Sequence, residues 1–398
     1  MRFTRFHLLP LARIVYWRQS VMATGDEQRE QGVMTEATAE QARTIILRHG
    51  YNTNAYVTLL SPSFRYFIAS GIDGVIAYQQ YGRVWLCGGD PICAESDIVP
   101  LTAAFLRAAR RTRRTVGFLP TTPRATRLLT ERLGFDHVKV GEDNFYDLQT
   151  WSARGQKMKH IRANINRAVR EGVTVRRCHS GDVTDAIRAQ VGQLIETWLT
   201  TRGMTALSFL LGIHPFERMD DRRLFLAWQG ETVVGFLACS PIPARHGWYL
   251  EDIIRSDDAP GGVTELLFQE TVAALRAEGA VCATLGMAAL ADCDPAHQPP
   301  THRLAGWMFA TMYTRLNTFY HFQSLRFYKE KFVPSCTEET CFVWWPRGLR
   351  RPHLIFAVAR ALDPEGIPAT LLSPIRQSLK RRIEPRRHEE HEGREEKD

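Results

Sequence analysis

Apolar residues recur three and four positions apart at Leu101, Phe105, Leu106 and Ala109, which predicts a helix over residues 98–110. Residues 37–49 and 125–133 carry the same period and stop at Gly50 and Gly134. Between them the chain alternates. Residues 64–70 and 74–81 read as strands about an Asp73-Gly74 turn, and 83–87 as a third strand closed by Gly88-Gly89-Asp90-Pro91. A strand at 115–119 precedes the 125–133 helix, and 135–140 leads into a further strand ending at Asp147 and Leu148.

The pattern then repeats. Helices are predicted over 156–171 and 185–200, and strands over 224–228, 232–239 and 247–254, with Gln229-Gly230-Glu231 as a turn. A long helix at 264–278, a strand at 281–286, a helical turn from 325–328 and a strand at 341–345 complete the unit. Both halves run helix, three meandering strands, helix, strand, helix, strand, so the fold class is α/β with mixed sheets, built by duplication of one unit. The expected organisation is an N-terminal extension at 1–34, a first domain at 35–155, a second at 156–345, and a basic helix with an acidic tail at 346–398.

A length of 398 residues suits two domains, and the net charge of +8 favours anionic partners such as nucleic acid, nucleotides or phospholipid headgroups. The eight cysteines form no C-x-x-C pair and no zinc pattern, so reduced thiols in a cytosolic protein are expected, with no metal. No apolar run reaches the roughly 20 residues that span a bilayer. Met22 and Met34 are alternative starts, which leaves the first 34 residues outside the expected fold.

Four segments could carry chemistry. Residues 157–171 place Met158, Ile161, Ile165, Ala168 and Val169 on one helical stripe, and Lys157, Lys159, Arg162, Arg167 and Arg170 around it. Such a helix is either an ordinary packed surface helix or a rail for phosphates. In the strand of residues 248–255 (WYLEDIIR), strict alternation puts Tyr249, Glu251 and Ile253 on one face and Leu250, Asp252 and Ile254 on the other. A carboxylate among apolar neighbours needs a partner, and Arg255 supplies one if the strand bulges or ends there. Gly286 and Met287 follow a strand in LGMAAL, where glycine allows close backbone approach. Lys329 and Lys331 flank Glu330 between aromatics in FYKEKF, as phosphate contacts or as snorkelling surface lysines. There is no G-x-S-x-G elbow, Walker A loop or H-E-x-x-H motif.

In order along the chain, GGDP (88–91), KVGEDNFYDL (139–148), the basic helix of 155–172, Trp198, the 209–212 segment, DIIR (252–255), DAPGG (258–262), LGMAAL (285–290) and FYKEKF (327–332) resemble the catalytic domain of phosphatidylglycerol lysyltransferases and related aminoacyltransferases. The resemblance covers roughly residues 51–345 and implies two tandem GNAT-like domains with a cleft between or beside them. It implies transfer of an aminoacyl group from aminoacyl-tRNA, as co-substrate and with no cofactor, to a hydroxyl of a membrane phospholipid. Asp252 and Arg255 match the family's Asp-x-x-Arg pair, and Lys329 and Lys331 its Lys-x-Lys segment; these four are the catalytic candidates. Glu171, Trp198, Gly286 and Met287, with Lys157, Arg162 and Arg167 on the basic helix, are the substrate-binding candidates.

The sequence departs from the family at Gly141-Glu142-Asp143-Asn144, where Gly-Glu-Glu-Ala is usual, and at residues 200–207, which lack acidic side chains. A cationic donor side chain would want a carboxylate nearby, so a neutral amino acid is as well supported as lysine. His160, His214, His246 and His321 are general-base candidates by residue type. Leu372, Ile375, Leu379 and Ile383 form an apolar stripe beside C-terminal arginines, a form suited to an anionic membrane surface. The expected location is cytoplasmic, peripheral to the inner face of the membrane. Competing expectations are an acyl-CoA-dependent GNAT N-acyltransferase, which the absent arginine-rich glycine loop disfavours, and a non-catalytic RNA- or membrane-binding protein.

Overall fold

The computed structural model describes residues 35–201, 209, 210, 212–315, 322–346 and 352–362. The N-terminal extension, His321, most of the 200–207 segment, the Leu372–Ile383 stripe and the acidic tail lie outside the described residues.

The first elements are β1 (Thr35–Ala37), α1 (Ala39–His49), β2 (Arg65–Ile68), β3 (Gly74–Tyr81), β4 (Val84–Gly88), β5 (Ile92–Cys93), α2 (Ile98–Arg111), β6 (Thr115–Thr121), α3 (Pro123–Leu133) and β7 (Asp136–Asp147). Then come α4 (Lys159–Arg170), β8 (Val173–Cys178), α5 (Asp185–Thr201), β9 (Arg223–Gln229), β10 (Thr232–Ile242), β11 (Gly247–Arg255), α6 (Val263–Ala277) and β12 (Cys282–Ala289). The chain closes with α7 (Arg303–Arg315), α8 (Phe322–Glu330), β13 (Cys336–Trp345) and α9 (Pro352–Leu362). Local chemistry sets the ends. Thr38 and Gln41 form a reciprocal capping box before α1, and α3 begins with a Thr122 cap and Pro123 and stops at Gly134 in the left-handed region (φ 70°).

All strands join one sheet, ordered β1-β2-β3-β4-β6-β13-β7-β12-β11-β10-β9-β8, with β5 paired to β3. The last strand, β13, lies antiparallel between β6 and β7 of the first half. β7 in turn pairs with β12 of the second half. Residues expected as two strands, 135–140 and the run to Asp147, are one 12-residue β7 with a bulge where Thr340 and Cys341 face Gly141 and Lys139.

Register and packing define two faces. On one, Ile76, Phe105, Phe118 and Val343 make a core under α2 and α3, continued by Tyr146, Ile161, Leu237, Leu250 and Phe268 under α4, α6 and α8. On the other, Leu86, Trp344, Ala42, Phe309 and Leu354 make a core with α1, α7 and α9, continued by Phe236, Ile254 and Val191 under α5. Val169, placed on the α4 stripe by the sequence, is 54% exposed; the stripe that packs is Ile161, Ile165 and Ala168.

Candidate functional site

β11 and β12 are parallel neighbours only from Gly247 to Tyr249 and from Cys282 to Thr284. Beyond that their pairing ends, while β12 shifts register against β7 between Thr284 and Met287. The end of this pairing makes a gap in the sheet, and the functional candidates sit on both sides of it.

Strict alternation along β11 fails. The ladder to β10 shifts between Ala238 and Cys239, so Asp252 faces Ala238 while Leu250 faces Cys239, and Glu251 is the extra residue. Tyr249, Glu251, Asp252 and Ile254 therefore share one face, and Leu250, Ile253 and Arg255 the other. The expected separation of Tyr249 from Asp252 is corrected by this bulge, which reverses the side-chain parity at a single residue.

Glu251 and Arg222 form a buried ion pair, with Arg222 Nε donating to Glu251 Oε1 at 2.9 Å and Ser240 Oγ donating to the same oxygen at 2.9 Å. Asp252 lies beside this pair. Its Oδ2 is buried and has no hydrogen-bond partner. Burial and then the Glu251 charge push its carboxyl well above the ordinary range, against the pull of Arg222. Trp198 of α5 packs into the cluster that holds Ala238 and Ile254, which places it on the face of Asp252.

Lys329 sits at the gap from the α8 side. Its buried Nζ donates to the carbonyls of Gly286 (2.7 Å) and Met287 (2.8 Å). Burial pushes this ammonium down to about 8, while the Asp143 carboxylate pulls upward. Gly286 has φ 77°, and a Cβ there would lie 2.6 Å from the Tyr249 ring, so glycine is required for this packing. Asp143 is buried, accepts from Thr53 Oγ1 (2.5 Å) and from Thr284 Oγ1, and is raised by that burial. Thr284 Oγ1 also accepts from the Gly286 N–H at 2.8 Å.

Arg255 and Lys331 lie on the opposite face. Arg255 is exposed and donates to the carbonyl of Ser256 at 2.7 Å. Lys331 donates to Glu265 at 3.0 Å and lies 3.9 Å from the centre of the Tyr328 ring. Its ammonium is lowered by burial, against the attraction of Glu265. Among the described residues no hydrogen bond or ion pair joins Asp252 to Arg255, Lys329 or Lys331. The structure thus sorts the four into Asp252 with Tyr249 on one face, Lys329 at the gap, and Arg255 with Lys331 on the other.

The basic helix α4 belongs to that second face. Lys157 precedes it and is exposed. Arg162 donates to the carbonyls of Ala153 (2.8 Å) and Gly155 (3.0 Å), and exposed Arg167 pairs with Glu171 at 2.7 Å. Gly262, at φ 99°, packs so closely that a Cβ would be 2.0 Å from the Asn164 carbonyl, and Gly261 lies against Arg167. α4 therefore covers the N-terminus of α6. Asp90 of the GGDP segment is structural: it accepts from the Thr122 N–H (2.9 Å) and hydroxyl (2.6 Å) and ties β4 to α3.

Sequence reasoning missed Arg222, Glu251, Asp143 and Thr53. Arg222 stood in an acidic-basic run that reads as solvated surface, and only the departure at 141–144 drew attention to Asp143. Of the histidine candidates, His160 is exposed on α4 and His214 pairs with Glu217 at 3.3 Å. His246 ends a short turn in the left-handed region (φ 48°). Among the described residues none of them bonds to Asp252.

A family profile described as phosphatidylglycerol lysyltransferase, C-terminal, matches residues 43–342. The phosphatidylglycerol lysyltransferase of Bacillus subtilis is 25% identical over 310 residues, which is 77% of this chain and 35% of the relative. That of Staphylococcus aureus is 24% identical over 327 residues, 80% of this chain and 36% of the relative. The chain thus spans about a third of the length of these relatives. Among solved structures, L-PGS from Bacillus licheniformis superposes with a TM-score of 0.68 at 22% identity, covering 83% of this chain and 99% of that one. The C-terminal domain of a putative lysylphosphatidylglycerol synthetase from Agrobacterium fabrum gives 0.67 at 23% identity, covering 83% and 98%. The shared fold is the mixed α/β one described above.

Proposed function

Since the chain belongs to the phosphatidylglycerol lysyltransferase C-terminal family, we propose that it transfers an aminoacyl group from aminoacyl-tRNA to a hydroxyl of an anionic phospholipid, phosphatidylglycerol being the acceptor named in its relatives. The observation that carries this reading is the unpartnered Asp252 oxygen, held on a bulge beside a gap that Lys329 borders.

The donor ester is already activated, so no covalent enzyme intermediate and no cofactor is needed. The acceptor hydroxyl donates to Asp252 Oδ2 and attacks the ester carbonyl. As the new C–O bond forms, its proton passes to Asp252, whose raised pKa suits it to hold one. The bond to the tRNA 3′ oxygen then breaks and that oxygen takes the proton. Lys329 spends two N–H groups on carbonyls, which leaves the third for the developing oxyanion or the lipid phosphate. The buried Arg222–Glu251 pair and Tyr249 position Asp252. Arg255 and Lys331, with exposed Lys157, Lys159 and Arg167, give the opposite face the cations that a tRNA end requires. This reading has the enzyme working at the cytoplasmic face of a membrane.

The competing reading, acyl transfer from CoA, would need an open α6 N-terminus for a pyrophosphate. That end carries the Asn164 carbonyl against Gly262. Incubation with phosphatidylglycerol vesicles and labelled donor separates the two. Label should enter lipid from aminoacyl-tRNA; label entering only from acyl-CoA would replace this reading with the other.

A further inference from the structure

Two helices on the face of Asp252 are apolar on both sides. α7 packs Ala305 and Phe309 inward, and α9 packs Leu354, Ala357 and Ala361 onto the same core. Yet α7 also turns Leu304, Trp307 and Met308 outward, at 70%, 62% and 49% exposure, and α9 turns out Ile355 and Phe356 at 63% and 66%. The α7 residues sit at i, i+3 and i+4, so they form one outward ridge. Their inward partners meet a single core that includes Trp344 of β13, which neighbours β6 and, beyond it, β4. The two ridges therefore belong to one side of the molecule. Large apolar side chains gathered this way on an exposed surface mark a contact.

We propose that these ridges are where the protein docks on an anionic lipid bilayer, an inference that rests on the reading of a phospholipid acceptor. The rim is basic. Arg303 opens α7 and is exposed, and Arg360 is exposed on the last turn of α9. Arginines edging an apolar patch that carries tryptophan match the layered polarity of a bilayer surface, where acyl chains take the ridges and phosphates take the guanidinium groups. A second copy of the chain fits worse, because a two-fold contact would set this arginine rim against itself. No helix among the described residues is long and apolar enough to cross a membrane. With the ridges on the Asp252 face and α4 on the other, lipid and tRNA would approach the gap from opposite sides of the sheet.

The test uses the full chain and two variants, Leu304→Ser/Trp307→Ser on α7 and Ile355→Ser/Phe356→Ser on α9, each checked for an unchanged thermal melt. Sedimentation with vesicles of phosphatidylglycerol in phosphatidylcholine should show binding that either variant weakens by about tenfold or more. Pure phosphatidylcholine vesicles should bind the parent chain far less. Both variants should still aminoacylate a short-chain phosphatidylglycerol dissolved as monomers. Vesicle binding that both variants retain would overturn the proposal. So would an apolar patch that sedimentation velocity shows buried in a dimer, which either variant converts to monomer. If the ridges govern vesicle binding but no acceptor is ever aminoacylated, the docking surface stands and the enzymatic reading falls.

Discussion

Asp252 is expensive where it stands. One of its carboxylate oxygens is buried without a partner, next to the negative Glu251. Its folded pKa is raised above the unfolded value near 3.9, so the folded state tolerates it best when protonated, and that stability is lost as pH rises through the folded pKa. Asp252→Asn should therefore match the parent in acid and become more stable by about 1 kcal/mol at neutral and alkaline pH, read by denaturant unfolding at several pH values. The same variant should transfer aminoacyl groups about 100- to 10,000-fold more slowly, because the amide cannot take the proton. An Asn variant that is less stable at high pH would mean the carboxylate has a partner the structure does not show.

Lys329 gives a second residue-scale expectation. Its ammonium is charged below about 8. If it holds an anionic oxygen, initial transfer rates should fall as pH rises through about 8, and Lys329→Met should lose most of the activity together with that limb. A rate profile level across this range in the parent chain would remove Lys329 from the role. Lys329 and Asp252 were visible in the sequence because their segments are distinctive. Their partners were not, since Arg222 and Asp143 meet them only through long-range register.

Most elements could be read from local periodicity, and each exception has its own physical cause. β8 is the last strand of the sheet and carries Arg176 and Arg177, so its run looks polar. α7 is apolar on both its packed and its exposed faces, which erases the 3.6-residue contrast that announces a helix. The β11 bulge is invisible to any alternating pattern, because one extra residue leaves no compositional mark. The α4–α6 contact is likewise encoded in one residue. At Gly262 an added Cβ would meet the Asn164 carbonyl at 2.0 Å in a backbone region that L-residues avoid. Gly262→Ala should cost about 2–4 kcal/mol in stability and loosen α4 from the domain, lowering both the melting temperature and the affinity for tRNA. Unchanged values for both would mean that α4 is not seated as described.

At the scale of the molecule, the duplicated rhythm was legible but the way the halves join was not. β13 completes the sheet of the first half, and β7 completes that of the second. A repeat in sequence says how many strands each unit holds, not which stretch of chain fills the seat between β6 and β7. That seat is apolar on both faces: Val343 packs with Val116 and Phe118, and Trp344 with Leu86 and Leu119. Residues 35–155 made alone would leave the facing edges of β6 and β7 unpaired and this core open to water. The fragment should fail to melt cooperatively. Extending it through a flexible linker by residues 333–346, which restore β13, should recover a cooperative transition, because the inserted strand supplies both the missing hydrogen bonds and the missing core residues. A bare 35–155 fragment that melts as sharply as the extended one would show that the first half closes its sheet without the C-terminal strand, and that the two halves are joined less intimately than the strand order implies.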